Sequence, residues 1–306
     1  MGTYLKLFLT AVFWGGTFIA GRIVAATVSP FSAAFLRFAI AGACLLAIML
    51  SREKRLPALK PRQATGVVLL GLTGIFAYNS FFFAGLATIH ASRASLIIAC
   101  NPVLITVLSA LIFGERLGPL RLAGTLMSVT GAVVVVTRGE LSQIWDGGIG
   151  AGELMIFGCV ASWVAYSLIG KVLLEGLSPL TTVAYAALCG MLMLLPAAWI
   201  NGLARDLAAC RLQDWLSLVY LGVLGTVVGF VWYYQGIMRL GAGPASLFIN
   251  FVPVSAIIMA YLILDEPVTP SLVVGAALVG TGVYLTCRPA SRREVPASGS
   301  VSLDTH

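Results

Sequence analysis

Residues 85–131, GLATIHASRASLIIACNPVLITVLSALIFGERLGPLRLAGTLMSVTG, and residues 236–282, GIMRLGAGPASLFINFVPVSAIIMAYLILDEPVTPSLVVGAALVGTG, carry one pattern written twice. At an offset of 151 residues Gly85 meets Gly236, Ala94-Ser95-Leu96 meets Ala245-Ser246-Leu247, and Pro102 meets Pro253. Further along, Glu115 meets Glu266, Pro119 meets Pro270, Gly124 meets Gly275 and Thr130-Gly131 meets Thr281-Gly282. Apolar composition alone produces chance matches of Leu and Val, but not aligned Pro, Glu and Gly. At an offset of 149 residues the earlier parts match as well: Trp14 with Trp163, Gly21 with Gly170, Arg22 with Lys171 and Pro30 with Pro179. A long self-match of this kind is the mark of a duplicated structural unit.

What is duplicated is membrane-spanning. Of 306 residues, 59% are hydrophobic and 10% charged, and the mean hydropathy is +0.98. A soluble domain carries about 25% charged residues. The apolar runs recur along the whole length, which excludes a signal peptide followed by a globular enzyme. A bilayer core about 30 Å thick needs about 20 apolar residues of helix. That length predicts ten helical spans, at 4–25, 31–50, 64–87, 92–113, 119–137, 151–172, 179–200, 213–236, 244–263 and 270–287. The runs are too long and too uniformly apolar for barrel strands. The expected fold is an all-α integral membrane protein of ten transmembrane helices.

Positive charge orients it, because Lys and Arg gather on the cytoplasmic side. With a cytoplasmic N-terminus, 13 Lys and Arg fall inside and 5 outside, with Arg37 left within span 2. Both termini are therefore predicted to be cytoplasmic, in a multi-pass protein of the cell inner membrane. Residues 1–137 form a first five-helix repeat, 138–150 a linker, 151–287 a second repeat, and 288–306 a polar cytoplasmic tail expected to be disordered. Five is odd, so the second repeat enters the membrane inverted. Inverted repeats with a substrate site near the midplane are an architecture of secondary transporters, and exchange between two mirror-related conformations gives alternating access.

The net charge of +7 sits in short gaps between apolar segments and reads as topogenic, with no nucleic-acid partner implied. Cys44, Cys100, Cys159, Cys189 and Cys287 lie in apolar runs and Cys210 in a connection, without metal-ligand spacing. No metal and no cofactor is expected. There are two histidines, His90 and His306, no convergent acidic cluster and no phosphate loop, so neither an enzyme nor an ATP-driven pump is indicated.

Phe13-Trp14-Gly15-Gly16 in span 1, Pro30 with Leu36-Arg37-Phe38 in span 2, and Ser95, Pro102 and Gly114-Glu115-Arg116 in span 4 together resemble the EamA-type branch of the drug/metabolite transporter superfamily. The similarity runs over nearly the whole chain apart from the tail, and is greatest to the YddG-type amino-acid exporters. It implies a central cavity lined by spans 1–4 and 6–9, with spans 5 and 10 peripheral, and export of amino acids or other metabolites.

Polar groups inside spans are costly and mark pathways or partners. Candidate substrate-binding residues are Trp14, Tyr78, Asn79, Phe82, Ser95, Asn101, Trp163, Tyr166, Ser246 and Asn250. Their uncharged donors, acceptors and ring faces suit a small amphipathic solute, including a zwitterionic amino acid. A phosphate ester would want buried cations. Export of amino acids and related metabolites with broad selectivity is expected; multidrug or lipophilic-cation efflux is the alternative. Arg37 either pairs structurally, snorkelling toward the nearer end, or contacts a substrate carboxylate. Pro102 and Pro253 are candidate hinges. Glu115 and Glu266, at opposite membrane sides, serve either as gate contacts or as solvated helix ends. With no Asp or Glu near mid-span, downhill export or exchange is expected rather than strong proton coupling. The partners are the substrate and the lipid bilayer, and a monomer is expected.

Overall fold

The computed structural model describes residues 2–53, 57–113, 119–137, 139, 150–173, 176–240 and 247–287. Among them every regular element is helical. Helices α1 (Gly2–Ala25) and α2 (Pro30–Glu53) are continuous, as are α8 (Ala151–Leu173) and α9 (Pro179–Ile200). Span 3 is three segments in line: α3 (Pro61–Leu70), a π-helical stretch Gly71–Ala77, and α4 (Tyr78–Leu86). Span 4 divides into α5 (Ala91–Ile98) and α6 (Asn101–Phe113), and span 5 is α7 (Pro119–Val136). A short helix α10 (Leu203–Ala209) precedes span 8, which is α11 (Leu212–Val219), a second π-helical stretch Tyr220–Val228, and α12 (Gly229–Leu240). A 3-10 turn, Leu247–Asn250, leads into α13 (Phe251–Leu264), and α14 (Pro270–Cys287) ends the described chain.

Six stretches are long and apolar enough to cross a membrane, and four shorter apolar ones lie at Ala91–Ile105, Leu122–Val135, Phe251–Leu264 and Pro270–Gly282. Proline opens α2, α3, α7, α9 and α14, where its fixed φ suits a first turn and its missing N–H costs nothing. Ser178 caps α9, its hydroxyl accepting the Thr181 N–H at 3.2 Å. The outward faces are apolar, with Leu111, Ile112, Trp199, Ile200 and Leu262 all exposed. That surface suits lipid. The interior is packed with Phe38, Phe82, Phe83, Leu45 and Met49, each fully buried.

The two π-helical stretches stand at matching places and are gripped in matching ways. Gly222 of the second packs on α2: a Cβ there would lie 3.0 Å from Arg37 O and 2.9 Å from Ile40 Cγ2. Gly71 of the first packs on α9: a Cβ there would lie 3.2 Å from Ala186 O and 2.9 Å from Cys189 Cβ. Under the sequence offsets Gly222 corresponds to Gly71, Arg37 to Ala186 and Ile40 to Cys189. Each half thus lays its second span on the π-helical stretch of the other half. Glycine is required at both contacts because backbone meets backbone. Spans 5 and 10 pack on each other through Gly131 and Gly275, where each added Cβ would come within 3.0 Å of the other glycine's carbonyl.

Polar contacts sort the connections into two ends. At one end Thr27 Oγ1 donates to Asp214 Oδ1 (2.9 Å), Ser29 Oγ to Asp206 Oδ2 (2.6 Å), and Arg93 pairs with Glu153 (3.0 Å). At the other, Lys6 Nζ donates to Gln235 Oε1 (3.2 Å), Gln63 Nε2 to Gly176 O (3.2 Å) and Tyr185 Oη to Pro57 O (2.7 Å).

Candidate functional site

Trp163, at the middle of α8, is the hub of an aromatic cluster. Tyr78 at the head of α4 lies 5.3 Å away between ring centroids, Tyr166 one turn along 5.1 Å, Phe230 of α12 stacks at 5.8 Å, and Trp14 of α1 meets it edge-on at 6.4 Å. Tyr78 in turn stacks on Phe82 at 5.9 Å, the i, i+4 pair that helical spacing predicts. Trp14, Tyr78 and Trp163 are only partly buried, whereas Phe82 and Tyr166 are buried. Tyr166 also receives the Tyr234 hydroxyl at 3.4 Å. Offset and edge-to-face rings of this kind attract one another and present both faces and edges to a guest.

Beside the cluster lies a polar knot. Arg37 is 6% exposed. Its Nη1 donates to Asn79 Oδ1 at 3.0 Å and its Nε to Thr226 Oγ1 at 3.1 Å. Asn79 completes itself by donating to Ile75 O at 2.9 Å, and Thr226 donates to Leu221 O at 2.9 Å. The last two acceptors lie in the π-helical stretches, where the shifted hydrogen-bond ladder leaves carbonyls for other donors. Trp14 uses another: its Nε1 donates to Gly225 O at 2.9 Å. The knot and the cluster therefore share one backbone support.

Other expected residues fall elsewhere. Ser95 is buried against its own helix, its hydroxyl donating to Ser92 O at 2.7 Å. Asn101 is buried at the start of α6, and its Oδ1 has no hydrogen-bond partner among the described residues. Ser246 and Glu115 lie outside the described residues. Asn250 closes the 3-10 turn, with its side chain outside the description. Pro102 and Pro253 stand in the first turns of α6 and α13, directly after the breaks in spans 4 and 9. There a proline lacks no needed N–H.

Glu266 has a defined job. It is 5% exposed, and its carboxylate accepts Ala91 N–H (2.8 Å), Ser92 N–H (3.1 Å) and Ser92 Oγ (2.7 Å), with His90 Nδ1 at 3.5 Å. It fills the donors at the start of α5 from the far side of the bundle. Asp265, at φ 52, makes the left-handed turn that aims it. Asp206, in the connection before span 8, is held similarly. Burial alone would raise its carboxyl, but the Ser29 and Ser32 hydroxyls, the Ser29 N–H and nearby Arg205 bring it below the ordinary aspartate range.

Thr226 and Phe230 are site residues that the sequence reading missed. The repeat offset held a signal for one of them: Asn79 advanced by 151 is Phe230.

The sequence profile of the EamA-like transporter family matches residues 1–137 and again 150–288. A probable terminal-alkyne amino-acid exporter of Streptantibioticus cattleyicolor is 30% identical, over 95% of this chain and 95% of its own. The aromatic amino acid exporter YddG of Ancylobacter novellus is 31% identical, over 75% of this chain and 78% of its own. A solved crystal structure shares the fold, with a TM-score of 0.66 at 23% identity over 93% of this chain and 96% of its own. These relatives are transporters, which is not an enzyme class, and being bacterial they point to the inner membrane. With its apolar spans, its paired π-helical crossings and two matches to one profile, the chain belongs to the EamA-like transporter family and is a multi-pass membrane protein.

Proposed function

We propose that this chain is a secondary carrier exporting amino acids and related small metabolites across the inner membrane by alternating access, with broad selectivity. The observation that carries the reading is the Trp163 cluster, to which residues 1–137 contribute Trp14 and Tyr78 and residues 151–287 contribute Trp163, Tyr166 and Phe230. A guest held there touches both inverted halves, so their relative tilt changes which side it can leave by. Ring faces accept many apolar bodies without fixing a shape, which suits broad selectivity. The amino-acid substrates named for two relatives support the same reading.

In this reading the breaks before Pro102 and Pro253 are the hinges, and the Glu266 contact with α5 is a clasp that holds one end shut and must release when that end opens. In the same reading, movement runs by exchange or down a gradient.

The test is uptake of labelled amino acids into proteoliposomes of the full chain, using aromatic, aliphatic and charged side chains with empty liposomes as control. Saturable uptake of several, each competing with the others, is the expected result. Trp163→Ala should lower uptake efficiency about tenfold or more, the loss of roughly one good contact. Amino acids that fail to enter, while lipophilic cations raise the melting temperature, would replace this reading with multidrug efflux. Strong stimulation by an imposed pH gradient would remove the exchange mechanism.

A further inference from the structure

Arg37 is a full charge in a place that offers it no opposite. The guanidinium is buried, in a span where water is scarce and a bare charge is expensive. Its two hydrogen-bond acceptors, Asn79 Oδ1 and Thr226 Oγ1, are neutral. The Arg93–Glu153 salt bridge and the His90–Glu266 contact lie at the bundle end, away from it. The buried acids Glu153, Glu266, Asp206 and Asp214 are all engaged at that end.

The remaining nitrogen of the guanidinium lies beside the second π-helical stretch. Nη2 makes no hydrogen bond within the described residues, and it lies 3.8 Å from where a Cβ would stand on Gly225. The carbonyl of that same glycine holds the Trp14 indole at 2.9 Å. A side chain at position 225 would stand beside the free Nη2 and collide with Thr17 Cγ2 at 2.6 Å. The result is a planar fork held by two side chains, with one nitrogen left over beside the glycine whose carbonyl holds the Trp14 indole, and such a fork pairs best with a carboxylate.

We propose that the missing counter-ion is the substrate's own carboxylate: Arg37, braced by Asn79 and Thr226, anchors a carboxylate while the Trp163 cluster takes the apolar body. Nothing equivalent serves an ammonium, for which the described site has only ring faces. The site therefore selects small aryl and bulky aliphatic carboxylates whether or not they carry an amino group, and discriminates against the corresponding amines and amides. The inference rests on the transport reading above and narrows its substrate class.

The experiment is counterflow of labelled phenylalanine in proteoliposomes of the full chain, with three competitors: 3-phenylpropionate, 2-phenylethylamine and phenylalanine amide. The anchor requires 3-phenylpropionate to compete within about tenfold of phenylalanine itself, and the amine and amide to compete at least about tenfold more weakly. In Arg37→Gln the gap between 3-phenylpropionate and 2-phenylethylamine should close. If that variant fails to fold, the wild-type comparison decides alone. An amine that competes as well as the acid, or an acid that fails where phenylalanine succeeds, overturns the anchor and leaves amino-acid transport standing. Absence of phenylalanine counterflow removes the underlying reading together with the anchor.

Discussion

Two crossings, α2 on the second π-helical stretch and α9 on the first, share a backbone design and differ in chemistry. At one, Arg37 reaches Thr226 and Asn79; at the other, Ala186 lies fully buried near Leu70, Tyr166 and Leu173. The repeat places Ile75 opposite Thr226 and Phe230 opposite Asn79, so each polar member of the knot faces an apolar counterpart. Close glycine packing is common to both crossings because it sets how near two helices can come. The side chains around each crossing are free to diverge. A duplicated scaffold can thus be symmetric in its backbone packing and asymmetric in its side-chain chemistry.

The most severe way to break that comparison is to erase the chemical difference. Ala186→Arg would put a second guanidinium among apolar neighbours with no acceptor prepared for it, at a cost of about 3–5 kcal/mol. We expect little folded protein in detergent, read by thermal unfolding. An Ala186→Arg protein as stable as wild type would mean that the apolar crossing is hydrated.

A milder test addresses the shared backbone. Gly71→Ala and Gly222→Ala each force a Cβ to within about 3 Å of neighbouring backbone or Cβ and should each destabilise by about 1–3 kcal/mol. Similar losses at both sites are expected from equivalent crossings. A neutral substitution at one of them would separate the two.

Chemical asymmetry also predicts unequal costs from similar changes. Thr226→Val leaves Arg37 Nε without its acceptor and should cost about 1–3 kcal/mol. Ile75→Val, at the matching position, removes a methylene and should cost about 0.5–1.5 kcal/mol. The ratio, measured by chemical or thermal unfolding, weighs the polar knot against apolar packing.

The smallest effect comes from the bundle end and serves as a control that touches neither crossing. Asp206 has a lowered folded pKa, so its contribution is present above the unfolded aspartate value of about 3.9 and is lost as pH falls through the lower folded value. Asp206→Asn should flatten that part of the acid stability profile and leave the two crossings unaffected. An unchanged profile would place the acid-sensitive step elsewhere.

Where the apolar helices lie was legible because apolar length and proline at helix starts are local signals. Trp163 and Trp14 were legible as a pair because the repeat put both at matching depth, and the structure brings their rings within 6.4 Å. The π-helical stretches were not, since a one-residue shift of the hydrogen-bond ladder leaves composition unchanged. Helix α10 escaped because seven residues, Leu203–Ala209, fall below any span-length window. The Arg37–Thr226 contact joins residues 189 apart. Only the fold brings them together, which is why the sequence left two roles open for Arg37. Ser95 read as a cavity hydroxyl, but it turns back onto Ser92 O, the local bond that serine makes readily within a helix.

The edge-on arrangement of Trp14 and Trp163, with an interplanar angle of 81°, has a spectroscopic consequence. Two indoles this near and this crossed are expected to couple through their strong far-ultraviolet transitions, giving a circular-dichroism couplet of paired opposite sign. One indole rides on each half, and Trp14 is tethered through Gly225 to the second half as well. Any tilt of one half against the other would change that couplet, and a guest wedged between the rings would extinguish it. In the alternating-access reading proposed above, the pair would serve as a label-free optical gauge of that tilt.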